Sequence, residues 1–266
     1  MKKTAIIIPS RLGSTRLPNK PLAIIHGKTL IQHCLESAIN TNVGEVFVAT
    51  DSEKIADIVQ KAGGVAIITP SDLPSGTDRI MNAYKQIGRD FDCIVNLQGD
   101  IPNISPQIIK KTVEVLTKTG CDIATAVMKV EEEVARKPSC VKPILTNKGE
   151  CFKALYFSRQ PVPYNANEYY EHIGIYAYTP SSLEKFTSLP ESQLEKLEKL
   201  EQLRALENDM SIYACVVDSS LKPISIDTED DLNLAIKFLK KKDFASTEKY
   251  KKLSESLKKN MERRKG

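Results

Sequence analysis

The residues with the plainest chemical potential stand in one loop near the N-terminus. Pro9-Ser-Arg-Leu-Gly-Ser-Thr-Arg-Leu-Pro-Asn-Lys20 follows directly on the apolar run Ala5 to Ile8. Arg11, Arg16 and Lys20 offer three cations, Gly13 allows close backbone approach, and Ser10, Ser14 and Thr15 add hydroxyl donors. A polyphosphate is held by this mixture of fixed charge and short-range donors. The spacing is not that of a Walker loop. Taken singly, each of these is an ordinary residue of a basic surface loop; together, with Pro18 and Pro21 stiffening the turn, they read as a triphosphate cradle.

Two carboxylates, Asp100 and Asp227, each follow a strand-like run, Cys93 to Leu97 and Lys222 to Ile226. Paired carboxylates with phosphate oxygens and water suit magnesium, which seldom receives an all-protein cage. On its own, Asp100 is a turn residue beside Gly99, and Asp227 an N-cap for a helix from Thr228 to Lys237. Asp230 and Asp231 complement the dipole of that helix. The segment Ser75-Gly-Thr-Asp-Arg79 opens another helix, where backbone donors can meet a base or a ribose. Arg159, His172, Tyr176, Gln98, Glu201 and Gln202 supply the cation, aromatic ring and hydrogen-bonding groups that an acidic sugar needs. Read alone, His172 is a satisfied core histidine and Glu201 a solvated partner of Arg204 at i+3. His26, a turn residue with Gly27, and His33, on the following helix, receive no role.

These residues need a scaffold that brings distant segments to one edge. Short β-branched runs at Ala5 to Ile8, Glu45 to Ala49, Val65 to Ile68, Cys93 to Leu97 and Ile123 to Val127 alternate with helical stretches at Leu30 to Asn40, Ser52 to Ala62, Thr77 to Ile87 and Pro106 to Thr117. The pattern predicts an α/β fold whose mainly parallel sheet is covered by helices on both faces. Ligands of such sheets bind outside the carboxyl ends of the strands. Beyond Lys142 the pattern turns Pro- and Tyr-rich, with a strand at His172 to Tyr178. Roughly 128–216 therefore reads as a smaller insertion or subdomain within a main domain of residues 1–238. Gln193 to Glu207 reads as one helix, its leucines at 194, 197, 200, 203 and 206 sweeping around the axis toward several neighbours or an interface.

The loop from Arg11 to Leu22 resembles the signature of the sugar-acid cytidylyltransferases, the 3-deoxy-manno-octulosonate (Kdo) branch in particular. The likeness continues in order through Phe47-Val-Ala-Thr-Asp51, Ser75 to Arg79, Asn96-Leu-Gln-Gly-Asp100, Ala154 to Arg159, His172 to Tyr176, Leu200 to Arg204 and Ile226 to Asp231, covering roughly residues 4–238. It implies a Rossmann-like nucleotidyltransferase fold with a sugar-binding and dimerisation subdomain. CTP would be bound by Ser10, Arg11, Gly13, Ser14, Arg16, Lys20, Ser75, Gly76 and Arg79. Magnesium would sit on Asp100 and Asp227, and the sugar among Gln98, Arg159, His172, Tyr176, Glu201 and Gln202. Arg11, Lys20, Asp100 and Asp227 would be the catalytic group, and the protein a cytoplasmic homodimer serving lipopolysaccharide synthesis. Three departures stand near the ligands. Ile101 replaces a common glutamate, Leu73-Pro74 a common His-Gln, and Ser139-Cys140 a common Asn-Ala. They leave the reaction class intact and open the choice of sugar to an amino-substituted Kdo or sialic acid. A sugar phosphate as acceptor would use the same cradle and aspartate pair. An inactive nucleotide-binding module, hinted at by Ile101 alone, would keep the fold without the chemistry.

Composition narrows the classes further. The 266 residues carry a formal charge of +4, but from Lys237 onward 12 Lys and Arg face 4 Asp and Glu, while the first 236 residues hold 26 against 30. The basic character thus belongs to the tail, residues 239–266, and the acidic body argues against a nucleic-acid partner. Six cysteines without C-x-x-C spacing predict a reduced protein with neither disulfide framework nor zinc site. The apolar run after Lys2-Lys3 is too short for a signal peptide, and no stretch is long enough to span a bilayer.

Overall fold

The first strand, β1 (Thr4–Ser10), is a continuous apolar run buried along nearly its whole length, as a central parallel strand must be. The computed structural model describes residues 3–13 and 17–239; Ser14, Thr15, Arg16 and the basic tail from residue 240 lie outside them. After β1 come a two-stranded hairpin, β2 (Ile24–Ile25) and β3 (Lys28–Thr29), then α1 (Leu30–Asn40), β4 (Glu45–Thr50), α2 (Glu53–Lys61), β5 (Val65–Ile68), α3 (Gly76–Ile87), β6 (Cys93–Leu97), α4 (Pro106–Thr119) and β7 (Ile123–Val130). His26 and Gly27 form the hairpin turn with φ of 46° and 81°, the positive pair that a two-residue turn requires. The helices begin where polar caps stand. Thr29 and Gln32 make a reciprocal capping box on α1, while Ser52, Ser75 and Ser105 accept backbone N–H groups at α2, α3 and α4.

The remaining elements are α5 (Glu132–Ala135), β8 (Lys142–Lys148), β9 (Cys151–Ser158), β10 (Tyr169–Tyr178), α6 (Pro180–Ser188), α7 (Gln193–Glu198), α8 (Leu203–Glu207), β11 (Ile212–Val217) and α9 (Glu229–Phe238). The stretch 128–216, expected as a smaller unit, forms no sheet of its own. Its strands extend one nine-stranded sheet of order β5-β4-β1-β6-β10-β7-β11-β9-β8. Pairings are parallel through β5, β4, β1 and β6, and β10 runs antiparallel between β6 and β7. Strand order reverses between β1 and β6, so their carboxyl ends open a crevice. Leu30, Ile31, Ile55, Ile108 and Ala235 from α1, α2, α4 and α9 fill the core on one face; Ile80, Ala83, Leu183, Phe186 and Leu203 from α3, α6 and α8 fill it on the other.

Two expectations need correction. The helix expected from Gln193 to Glu207 is broken at Lys199, which adopts a left-handed φ of 54°. Arg159 takes the freed carbonyls, donating from Nε to Glu198 O at 2.8 Å and from Nη2 to Lys199 O at 3.3 Å. The break turns Leu200 and Leu203 into the core and leaves Leu197 in solvent. Lys222 to Ile226 is not a strand. Pro223 has no N–H, and the N–H groups of Ile224 and Ile226 go to Asn103 Oδ1 and Asp100 O, at 2.8 and 3.0 Å.

The crevice depends on one close backbone approach. A methyl on Gly99 would stand 2.7 Å from Pro9 O and 3.4 Å from Ile8 Cγ2. Gly99→Ala must push the loop after β6 away from the end of β1, and it is expected to cost about 1–3 kcal/mol in a denaturant titration.

Candidate active site

At the crevice the ammonium of Lys20 donates to Asp100 Oδ2 at 2.8 Å and to Asp227 Oδ1 at 3.0 Å. Lys20 is placed by a short 3-10 turn, Lys20–Leu22, with Pro21 buried beneath it. Asp100 comes from the loop after β6. Asp227 precedes α9 without capping it: Thr228 is the N-cap, in a reciprocal box with Asp231. Asp231 also accepts the Asp227 N–H at 3.1 Å, so the Asp227 side chain is turned to the crevice.

Burial pushes the Asp100 carboxyl above the usual carboxylate range, the Lys20 charge and hydrogen bond oppose that, and the charge of Asp227 adds to it. For Lys20, burial works against the charged form, but Asp100 and Asp227 outweigh it and hold the ammonium above its ordinary value. One ammonium is thus shared by the two carboxylates. Among the described residues no cluster of three or more His, Cys, Asp and Glu could hold a metal alone. The pair nevertheless fits a magnesium ion: both carboxylates reach a common cation, and the remaining ligands would be phosphate oxygens and water.

Around this triad lies a cleft of about 360 Å³, lined by Pro9, Ser10, Arg11, Gly13, Lys20, Ser75, Gly76, Arg79, Gln98, Asp100 and Asp227 among others. Every described residue expected to bind nucleotide lines the cleft; Ser14 and Arg16 lie outside the described residues. Arg11 is exposed and the buried Ser10 Oγ has no protein partner. Ser75 is both the α3 cap and part of the wall, accepting the N–H groups of Thr77 and Asp78. Arg79 is only 2% exposed and its donors are committed, to Asp51 Oδ2 at 3.0 Å, Thr69 Oγ1 at 2.5 Å and Pro70 O at 3.2 Å. It braces the wall more than it presents charge to it.

The groups expected on the sugar side divide in two. Gln98 donates to Asn96 Oδ1 at 2.9 Å, Asn96 to Thr77 Oγ1 at 3.3 Å, and Thr77 to Glu201 Oε2 at 2.7 Å. The second oxygen of Glu201 and the amide nitrogen of Gln202 are buried without a protein partner, and burial raises the Glu201 carboxyl above its ordinary value. His172 and Tyr176 lie together, ring centroids 5.3 Å apart, on β10. Arg159 does not join them as a free cation: its guanidinium is held by the carbonyls of Glu198, Lys199 and Pro138. Asn96 and Thr77, both buried, were not singled out from the sequence. An asparagine inside the apolar strand β6 is the signal that could have pointed to them, since a buried amide needs partners. A second cavity of about 240 Å³ meets the cleft at Gln98 and Asp100 and is lined also by Ser139, Glu171, His172 and Lys222.

A family model described as Cytidylyltransferase matches residues 5–212. The 3-deoxy-manno-octulosonate cytidylyltransferase of Rickettsia prowazekii is 48% identical over 239 residues, 89% of this chain and 95% of that protein. The protein of the same description from Rickettsia bellii is 46% identical over 239 residues, 89% and 96% of the two chains. The chain belongs to the 3-deoxy-manno-octulosonate cytidylyltransferase family. Among solved structures, a CMP:2-keto-3-deoxy-manno-octonic acid synthetase complexed with CTP aligns at a TM-score of 0.80 and 38% identity, over 88% of this chain and 97% of the other. A UTP-bound UGPase from Acinetobacter baumannii, at 14% identity and TM-score 0.60, shares the fold.

The three positions read from the sequence as departures from that family's pattern lie in different settings. Ile101 is 4% exposed and packs in the core with Ile104 and Ile108. It also lines the second cavity together with His172 and Lys222, and nothing in the structure explains the absence of a glutamate there. Ser139 lines the second cavity, Cys140 is buried beside it, and Leu73-Pro74 lies in the loop before α3.

Two stability measurements follow from the buried charges. Burial moves His172 from its ordinary 6.5 down to about 4. The unfolded chain therefore takes the proton first, and stability present above pH 6.5 is lost as the pH falls toward 4, by up to about 3 kcal/mol. His172→Gln should lack that loss in chemical denaturation across this window. Asp100 has the opposite sign. Its raised pKa means that stability falls as the pH rises through the carboxylate range; Asp100→Asn removes this titration, and with it the anion that holds the Lys20 ammonium, and should flatten that pH dependence in chemical denaturation.

Proposed function

We propose that this chain transfers the CMP group of CTP to the anomeric hydroxyl of 3-deoxy-D-manno-octulosonate, with release of pyrophosphate. The observation that carries the reading is the convergence of Lys20, Asp100 and Asp227 at the switch point of the sheet, inside a cleft whose other wall is the N-terminus of α3. The names of relatives at 46–48% identity support the choice of sugar acid and nucleotide. In this reading CTP lies across the ends of β1 and β6, its triphosphate against Arg11, Gly13 and Lys20 with Ser14 and Arg16 of the same loop, and its nucleoside toward Ser75 and Gly76. The helix terminus and the cations neutralise the phosphate charge.

The sugar's hydroxyl oxygen attacks the α-phosphorus in line as the bond to the leaving pyrophosphate breaks; no covalent enzyme intermediate is needed. Gln98, Glu201, Gln202, His172 and Tyr176 form the polar and aromatic surface for the acid, and Arg159 supports the turn that carries Glu201. The neutral His172 offers one donor and one acceptor, Nε2–H to Thr125 Oγ1 at 2.9 Å and a second nitrogen for a ligand, since the Thr125 hydroxyl donates to Ile175 O at 2.7 Å. Asp100 and Asp227 would hold magnesium. When bound, that ion supplies charge neutralisation and lowers the pKa of an attacking hydroxyl.

The reading extends to a homodimer in the cytosol serving a bacterial pathway for lipopolysaccharide sugars. Exposed Leu155, Tyr164 and Leu197 offer apolar surface on β9, the loop beyond it and α7. All six cysteines are buried and none forms a disulfide, which suits a reducing compartment. Among the described residues, no helix is long and apolar enough to cross a membrane.

The test is pyrophosphate release with CTP and magnesium in parallel reactions with Kdo, its 8-amino analogue, sialic acid and no sugar. Release with Kdo is expected, with Asp100→Asn folded and without turnover. Release with another acid alone would replace the sugar, and CTP binding without release from any mixture would overturn the enzymatic reading.

A further inference from the structure

We propose that Asn103 is a positioning residue for the carboxylate pair, acting through the backbone of Ile224 to hold Asp227 opposite Asp100; this rests on the reading of that pair as the magnesium site. Residues 222–227 leave the sheet and have no partner strand. Lys222 is paired through its side chain with Glu171 on β10 at 2.7 Å, and the backbone beyond it is held by the loop after β6. Asn103 Oδ1 accepts the Ile224 N–H at 2.8 Å, and Asp100 O accepts the Ile226 N–H at 3.0 Å. The loop that carries one carboxylate thus grips, at two points separated by a single residue, the segment that carries the other.

Apolar burial cannot do this alone. Ile226 is wholly buried and Ile224 packs against the core, but the hydrophobic effect is non-directional and sets depth rather than register. Hydrogen bonds are directional, and Pro223 offers no N–H to share the task. The demand is tight, because both carboxylates must stay within 3.0 Å of one ammonium, and displacements of about 1 Å near a reacting centre can cost about 100-fold. Asn103 itself contacts neither carboxylate; it faces a separate cavity with Pro102, Ile104 and Phe238.

The experiment compares the full-length parent with Asn103→Ala and Asn103→Asp, the latter keeping an acceptor for the Ile224 N–H. Hydrogen exchange of peptides spanning residues 222–228 reads the clamp directly. Manganese binding to the protein–CTP mixture, followed by electron paramagnetic resonance, reads its consequence. Asn103→Ala should exchange faster in that segment while melting cooperatively, and bind manganese about 10–100-fold more weakly; Asn103→Asp should restore both. Parent-like protection and affinity in Asn103→Ala, or equal impairment in the two variants, would overturn the proposal. Asn103→Leu, of similar size and without an acceptor, serves if the alanine variant does not fold. Should the parent with CTP take up no manganese, the metal reading of Asp100 and Asp227 fails, and the exchange experiment still decides whether Asn103 holds the segment.

Discussion

One ammonium shared by two carboxylates is the constraint around which this fold is arranged. Lys20, Asp100 and Asp227 are 80 and 207 residues apart from first to second and first to third, and removing such charges from water is costly unless they meet with good geometry. The parallel neighbours β1 and β6 bring the first two to one end of the sheet. The third arrives by a segment outside the sheet, tied to the loop that carries the second.

The same crevice shows why a polar network runs into an otherwise apolar core. Asn96 sits in the middle of the sheet, wholly buried, and its amide links Gln98 at the rim to Thr77 on α3 and through it to Glu201. A chain of hydrogen bonds at low dielectric fixes orientation more firmly than packing does. The two polar atoms left over at its end, Glu201 Oε1 and Gln202 Nε2, are the kind of unmet demand that a polyhydroxylated ligand satisfies.

Much of the scaffold was legible because each strand of the first half is a short run rich in apolar and β-branched residues and each helix there starts at a polar cap. Boundaries at α1, α3 and β6 follow from those signals alone. The loop after β1 stood out in the sequence by its composition as a candidate for phosphate, and Asp100 and Asp227 by a family likeness more than by their spacing. Other features have no local signature. The break at Lys199 depends on a guanidinium contributed from 40 residues away, and the unpaired course of 222–226 depends on Asn103 and Asp100. Arg159 and Arg79 illustrate the same limit. An arginine near a ligand site looks like an anion receptor until the carbonyls and carboxylate that already hold it are seen.

That the last carboxylate sits just before α9 has a consequence for how the protein is made. During synthesis from the N-terminus, Lys20 and Asp100 emerge and can find each other once β1 and β6 pair, while Asp227 is still to be added. The contact that completes the cluster is among the most distant in sequence that the chain makes, and closing so long a loop comes late. A nascent chain thus acquires its sheet well before its chemistry, and it becomes competent only when nearly the whole described polypeptide has left the ribosome.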